Sequence, residues 1–252
     1  MNFWDRINTR WTKEELVPWS SFYKTLYLLF PLVVYYLSGD MTEVLLWGVL
    51  NWVLRGASES VVTFLSLNQA TLRGIIYGIG LVVGVAILRK SAVNEITYED
   101  PDNRIKSISV LNCCILILLS FAAALGLNFL FDITGFNRIS PAYEEISSVQ
   151  FDVSFYAGLL IYGLLSPLSE EIIFRGILYN RMKRIFPLWV SIFVSSLLFG
   201  IFHGNLVQGV YGTVMGLLIV WSYEHFHNFL APLIVHSVAN ISIFVLGNTL
   251  WR

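Results

Sequence analysis

Residues 107–131 run without one charged side chain. A stretch of that length and apolarity crosses the hydrocarbon core of a bilayer as a single helix. Further apolar runs occupy residues 20–38 (interrupted by Pro31), 74–88, 154–180, 188–223 and 230–247. Of the 252 residues 56% are hydrophobic and 13% charged, whereas a soluble domain carries about 25% charged residues. Inside lipid the backbone must satisfy its own hydrogen bonds, and runs of these lengths do so as helices. The expected fold is therefore all-α, a polytopic transmembrane helix bundle.

The span count is seven or eight. Residues 188–223 are too long for one crossing and are expected to break at His203-Gly204-Asn205. Residues 41–67 are too few for two full crossings, so they form either one long tilted helix or a re-entrant pair. Within them Asn51, Arg55 and Glu59 fall at i, i+4 and i+8, which predicts one polar stripe. Gly74, Gly78, Gly80 and Gly84 predict close packing against a neighbour, with Gly80 and Gly84 at small-xxx-small spacing.

Polar segments set the orientation. Residues 89–106 form a basic and acidic loop, and Arg181, Lys183 and Arg184 cluster after the fourth apolar run. Residues 132–153 hold four acids and one basic residue, Arg138. The positive-inside rule puts the first two in the cytoplasm and the third outside. With seven spans, alternation from a cytoplasmic N-terminus leaves 89–106 on the wrong side. No cleavable signal peptide is expected, because residues 1–19 lack an apolar core. They carry Trp4, Trp11 and Trp19 as interfacial anchors, and Thr12 with Glu15 fits a capping box. Net charge is −1, which offers no basic field for nucleic acid. Cys113 and Cys114 are adjacent in an apolar run and read as small buried residues. Residues 1–252 are expected to form one membrane domain, with 1–19 interfacial and 154–248 holding the chemistry.

That chemistry centres on Ser166-Pro167-Leu168-Ser169-Glu170-Glu171-Ile172-Ile173-Phe174-Arg175-Gly176. Ionisable groups at membrane depth are costly and tend to face a cavity. Glu171 and Arg175 are four apart and share a helical face, so they can pair. Glu170 is turned about 100° away. One acid is thus available as a structural partner and the other as a reagent. Pro167 removes a backbone hydrogen bond just ahead of them. Phe199 with His203, and His236 with Asn240, repeat the i, i+4 spacing on two other helices. A carboxylate, two imidazoles and a carboxamide suffice to activate water and stabilise an oxyanion in peptide hydrolysis. The active site is expected within the membrane. His225 and His227 lie in a polar turn and read as solvent-exposed.

The segments SEEIIFRG, FGIFH and HSVAN resemble the EExxxR, FxxxH and HxxxN motifs of the CAAX-protease and bacteriocin-processing family, which includes the type II CAAX prenyl endopeptidases and the bacterial Abi proteins. The resemblance covers residues 154–245 and implies a bacterial membrane enzyme. It implies that Glu170, with His203, activates the attacking water and that His236 and Asn240 are the oxyanion donors. Glu171 and Arg175 complete the first motif in support, and Phe199 packs. The implied partners are the bilayer and a peptide or membrane-tethered protein substrate. Without a cofactor the mechanism is that of a glutamic protease; the zinc alternative would use Glu170, His203 and His236 as ligands. A different class of function, bacteriocin immunity by binding alone, needs none of this catalysis.

Overall fold

The charged N-terminal stretch folds into two short helices, α1 (Phe3–Asn8) and α2 (Lys13–Leu16). Thr12 and Glu15 form the expected capping box, and the Thr12 backbone N–H and hydroxyl hold the Glu15 carboxyl below its usual pKa. Trp11 and Trp19 lie 5.4 Å apart, tilted at 60°, over Ile7, Leu16 and Tyr27. These two tryptophans therefore pack on the protein, whereas Trp4 is exposed. The structure, a computed structural model, describes residues 2–99 and 108–250.

Helix α3 (Ser21–Leu54) passes through both Pro31 and the polar run Ser38-Gly39-Asp40. Its 34 residues extend about 51 Å. The expected end at residue 38 is therefore corrected, for two physical reasons. The Ser38 and Thr42 hydroxyls bond back to carbonyls of their own helix, at 2.9 and 2.6 Å. Gly39 is a point of close approach: a Cβ on Gly80 would lie 3.2 Å from the Gly39 Cα. Residues 41–67 then add no crossing of their own, since their first half continues α3 and the rest is the short α4 (Glu59–Leu67). The predicted stripe is broken, because Arg55 caps α3 and Glu59 opens α4.

Helix α5 (Gln69–Glu99) runs back along α3. Gly80 faces Gly39, and Gly84 faces Tyr35 and Ser38, so this glycine pair is the seam between the two helices. Residues 89–99 belong to α5, which corrects the expected loop; the remainder of that loop, residues 100–106, lies outside the described residues. The charge-free run forms α6 (Val110–Thr134), followed by α7 (Pro141–Asp152), where an open loop was expected. On α6 Cys113 is half-buried and Cys114 exposed, so the expected burial fails.

The acidic motif lies midway along α8 (Phe155–Ile185). Helices α9 (Leu188–Ile201) and α10 (Leu206–Phe226) follow, separated as expected at His203-Gly204-Asn205, where Gly204 takes a left-handed φ of 75°. Helix α11 (Leu230–Leu250) closes the bundle against α6, with the Ser120 hydroxyl donating to the Val235 carbonyl at 2.5 Å. Six of the described helices, α3, α5, α6, α8, α10 and α11, are long and apolar enough to cross a membrane. The seventh apolar helix, α9, has 14 residues, about 21 Å. The chain is an integral membrane protein built as a helical bundle.

One end of the bundle is locked by a buried charge cluster. Glu95 accepts from Arg181 Nε at 2.9 Å and from Arg184 at 2.7 Å, and Tyr27 donates its hydroxyl to it at 2.9 Å. Arg181 also donates to the Ile7 and Tyr27 carbonyls. Both Arg181 and Glu95 are wholly buried. The Arg181–Arg184 group is therefore an internal knot joining α1, α3, α5 and α8. Because residues 41–67 add no crossing, alternation now places this end and the 89–99 segment on the same side of the bundle.

Candidate active site

Helix α8 departs from α-helical bonding twice. Residues 161–165 and 172–179 are π-helical and flank the α-helical turn Ser166–Glu171. Pro167 supplies no N–H and would crowd the carbonyl four residues earlier, and a widened turn relieves both. The widening leaves the Tyr162 carbonyl free, and the Asn240 side-chain amide on α11 donates to it at 3.1 Å. Glycines let α11 approach: a Cβ on Gly163 would lie 2.7 Å from Ile241.

The two adjacent acids meet different surroundings. Glu171 is fully buried, and its Oε1 accepts from Arg175 at 2.9 Å and from His236 Nδ1 at 2.8 Å. Arg175 is buried too, so it does not reach for the interface; it donates to the Gly216 carbonyl and lies 4.4 Å over the Phe199 ring. Glu170 leaves 13% of its side chain exposed, and its Oε2 is 3.8 Å from His236 Nε2. The Ser166 hydroxyl donates to Glu170 Oε1. Having spent its one proton there, Ser166 can only accept from the Tyr77 hydroxyl 3.4 Å away. Glu170 opens into a cavity of about 180 Å³ between α3, α5 and α8, walled by Tyr35, Tyr36, Tyr77 and Leu81.

Both imidazoles have one nitrogen committed. Carbonyl and carboxylate oxygens only accept, so His203 Nδ1–H donates to the Phe199 carbonyl at 2.8 Å and His236 Nδ1–H to Glu171. Each ring is left with Nε2 for other work. The Phe199 ring sits edge-on to both histidines, at 5.1 Å from His203 and 5.3 Å from His236. Buried Phe199 thus ties the end of α9 to α8 and α11, through Arg175 and Phe174 as well. His203 also packs against Gly212 of α10. Asn240 and His236 share a face of α11, and Asn240 keeps a second amide hydrogen beyond the one given to Tyr162.

Five of the expected site residues, Glu170, Glu171, Arg175, His236 and Phe199, are thereby joined in one chain of contacts, with His203 attached through Phe199 and Asn240 through α8 and α11. Ser166, Tyr77 and the cavity walls from α3 were not anticipated. Ser166 was legible as the residue four before Glu170; the α3 residues carry no local signal. His225 and His227 are exposed, as expected. Among the described residues no three His, Cys, Asp or Glu side chains are grouped as a metal ion would require.

Comparison with known proteins follows the same segment. Residues 152–242 match the family model of the type II CAAX prenyl endopeptidase Rce1-like proteins. Among curated proteins the chain is 25% identical over 166 residues to the membrane-embedded CAAX protease MroQ of Staphylococcus aureus (strain USA300), covering 61% of this chain and 64% of that protein. It is 30% identical over 82 residues to the UPF0177 protein YxdF of Lactococcus lactis subsp. lactis (strain IL1403), covering 32% and 45%. It is 25% identical over 88 residues to YdiL of Bacillus subtilis (strain 168), named as a candidate membrane peptidase, covering 35% and 36%. The matched regions thus span about one third to two thirds of these relatives' lengths. No solved structure matches at comparable significance. The segment that holds the motif helices, residues 152–242, is thus similar to the type II CAAX prenyl endopeptidase Rce1-like family and to bacterial membrane proteins, two of them named as a protease or peptidase.

Proposed function

We propose that the protein is an intramembrane endopeptidase in which Glu170 activates water. The observation that carries this reading is the unequal placement of the two neighbouring acids. Glu171 is buried and doubly engaged, whereas Glu170 reaches a cavity with His236 Nε2 beside it.

In this reading a water in the cavity gives a proton to Glu170, and the resulting hydroxide attacks the carbonyl carbon of the scissile peptide. The carbonyl π electrons move to oxygen. The oxyanion takes a hydrogen bond from the second amide hydrogen of Asn240, and one from His236 Nε2–H when that ring is doubly protonated, its Nδ1–H being held by Glu171. Glu170 returns its proton to the departing nitrogen, the C–N bond breaks, and the two products are a carboxylic acid and an amine. His203 offers its free Nε2 to the same water. Glu171 and Arg175 orient His236 and do not touch the substrate. The roles given to Glu170 and His236 rest on these contacts and on the motif resemblance, and those of His203 and Asn240 on the resemblance.

The substrate class is a peptide or a membrane-tethered protein, in keeping with the proteolytic names of two relatives. The test is cleavage of a peptide or membrane-tethered reporter by purified protein in detergent. Wild type is expected to cut, and Glu170→Gln, with unchanged melting, to be silent. Equal cutting by the variant would overturn the reading. Protection against a bacteriocin that survives Glu170→Ala would instead favour binding alone.

A further inference from the structure

Glu170 is held by a serine that the catalytic reading leaves unused. A buried serine within a helix ordinarily turns its hydroxyl back onto a carbonyl of its own helix. Ser191, Ser195, Ser196, Ser222 and Ser242 all do so here, each donating to a carbonyl three or four residues earlier. Ser166 is buried as they are, yet its hydroxyl donates forward, to Glu170 Oε1. Local structure explains the exception. The Ser166 backbone N–H bonds to the Ile161 carbonyl in the widened turn, and the Tyr162 carbonyl, four residues before Ser166, accepts from Asn240 at 3.1 Å instead. From the other side Tyr77 approaches Ser166 Oγ at 3.4 Å, its ring stacked 6.3 Å from that of Tyr162. Donation by Tyr77 uses a lone pair of the serine oxygen and leaves the serine proton for the carboxylate.

We propose that Ser166 is a positioning residue for the hydrolysis: it anchors Oε1 of Glu170 so that Oε2 is the oxygen that takes the proton from water. This rests on the proteolytic reading above and gives the role of base to one oxygen, a choice which that reading leaves open. A carboxylate turns easily about its last side-chain bond, a broad and roughly two-fold torsion, and so exchanges its two oxygens. A hydrogen bond to Oε1 alone removes that freedom and leaves Oε2 on the side of His236 Nε2, 3.8 Å away. In the step itself one O–H bond of water breaks and the Oε2–H bond forms, while the hydroxide keeps the bonding pair and attacks the carbonyl carbon. Ser166 gives up no proton, and its O–H stays on Oε1 throughout. It does not line the cavity, so it acts by fixing the geometry of Glu170 and not by touching substrate.

The experiment uses purified full-length protein in detergent and a quenched fluorescent peptide reporter, read at a temperature where every variant is folded. Ser166→Ala is expected to lower kcat by about 10- to 100-fold, the worth of a hydrogen bond to a charged group, with KM near wild type. Ser166→Thr keeps the hydroxyl and is expected to stay within about threefold of wild type. A Ser166→Ala kcat equal to wild type, a loss carried by KM alone, or a Ser166→Thr variant as slow as Ser166→Ala overturns the assignment. Infrared spectroscopy separates this claim from proteolysis. The difference between the wild-type and Glu170→Gln spectra isolates the bands of the Glu170 carboxyl group. The same difference taken in the Ser166→Ala background is expected to show those bands shifted, because the donor to Oε1 has gone. Unshifted bands overturn the contact. If wild type cleaves no reporter the proteolytic reading fails, and shifted bands still assign Ser166 to holding Glu170.

Discussion

His236 Nδ1 and Glu171 Oε1 lie 2.8 Å apart, and the same carboxylate oxygen holds Arg175 at 2.9 Å. One acid of the Glu170-Glu171 pair is therefore consumed in fixing an imidazole from α11 and a guanidinium one turn along α8. This frees the other acid to face the cavity. The geometry also aims His236 Nε2 at Glu170, because the opposite nitrogen is committed.

Truncating the buried acid is expected to destabilise the protein. Glu171→Ala leaves Arg175 charged and unpaired in an apolar interior, a loss of about 3–5 kcal/mol by analogy with other broken buried pairs. Thermal unfolding in detergent should show the drop. Glu171→Gln, which keeps one acceptor for both partners, should lose less.

His203 is expected to matter for rate far more than for stability. It is half-buried, and its recorded partners are the Phe199 carbonyl and ring and the Gly212 backbone region. His203→Ala should lower kcat/KM by about 10²–10⁴-fold, the usual scale for losing a proton-transfer group. Its melting curve should stay close to wild type.

The Glu95 knot gives a stability prediction remote from the chemistry. Arg181→Met should cost about 3–5 kcal/mol, because Glu95 is wholly buried and loses a charged partner. Adding Glu95→Met should recover only part of that loss, since it removes the buried acid but leaves Arg184 without its carboxylate partner. A double-mutant cycle read by chemical unfolding measures this coupling.

The metal-free mechanism predicts that dialysis against a tight chelator leaves cleavage unchanged. A loss restored by zinc would assign Glu170, His203 and His236 to a metal instead.

Much of the site was legible because its residues fall in pairs four apart on helices. Glu171 with Arg175, Phe199 with His203, and His236 with Asn240 all follow from local spacing. What joins the pairs was not legible. Phe199 was expected merely to pack, yet its ring touches both histidines and the Arg175 guanidinium. Asp40 and Glu43 lie beyond the expected end of the first span at residue 38, because charges in a sequence mask a helix that continues through them. They line the same cavity as Glu170, where α3 and α5 approach at Gly39 and Gly80, a contact set by tertiary packing. The Glu95–Arg181 bond joins positions 86 residues apart and leaves no local trace. The same masking left the span count open at residues 41–67, where the first half continues α3.

Single-turnover cleavage of a reconstituted peptide reporter, comparing wild type with Glu170→Gln at matched thermal stability, is the most direct measurement. The account predicts a fall of about 10²-fold or more, with substrate binding retained. Cleavage by Glu170→Gln at the wild-type rate would contradict it.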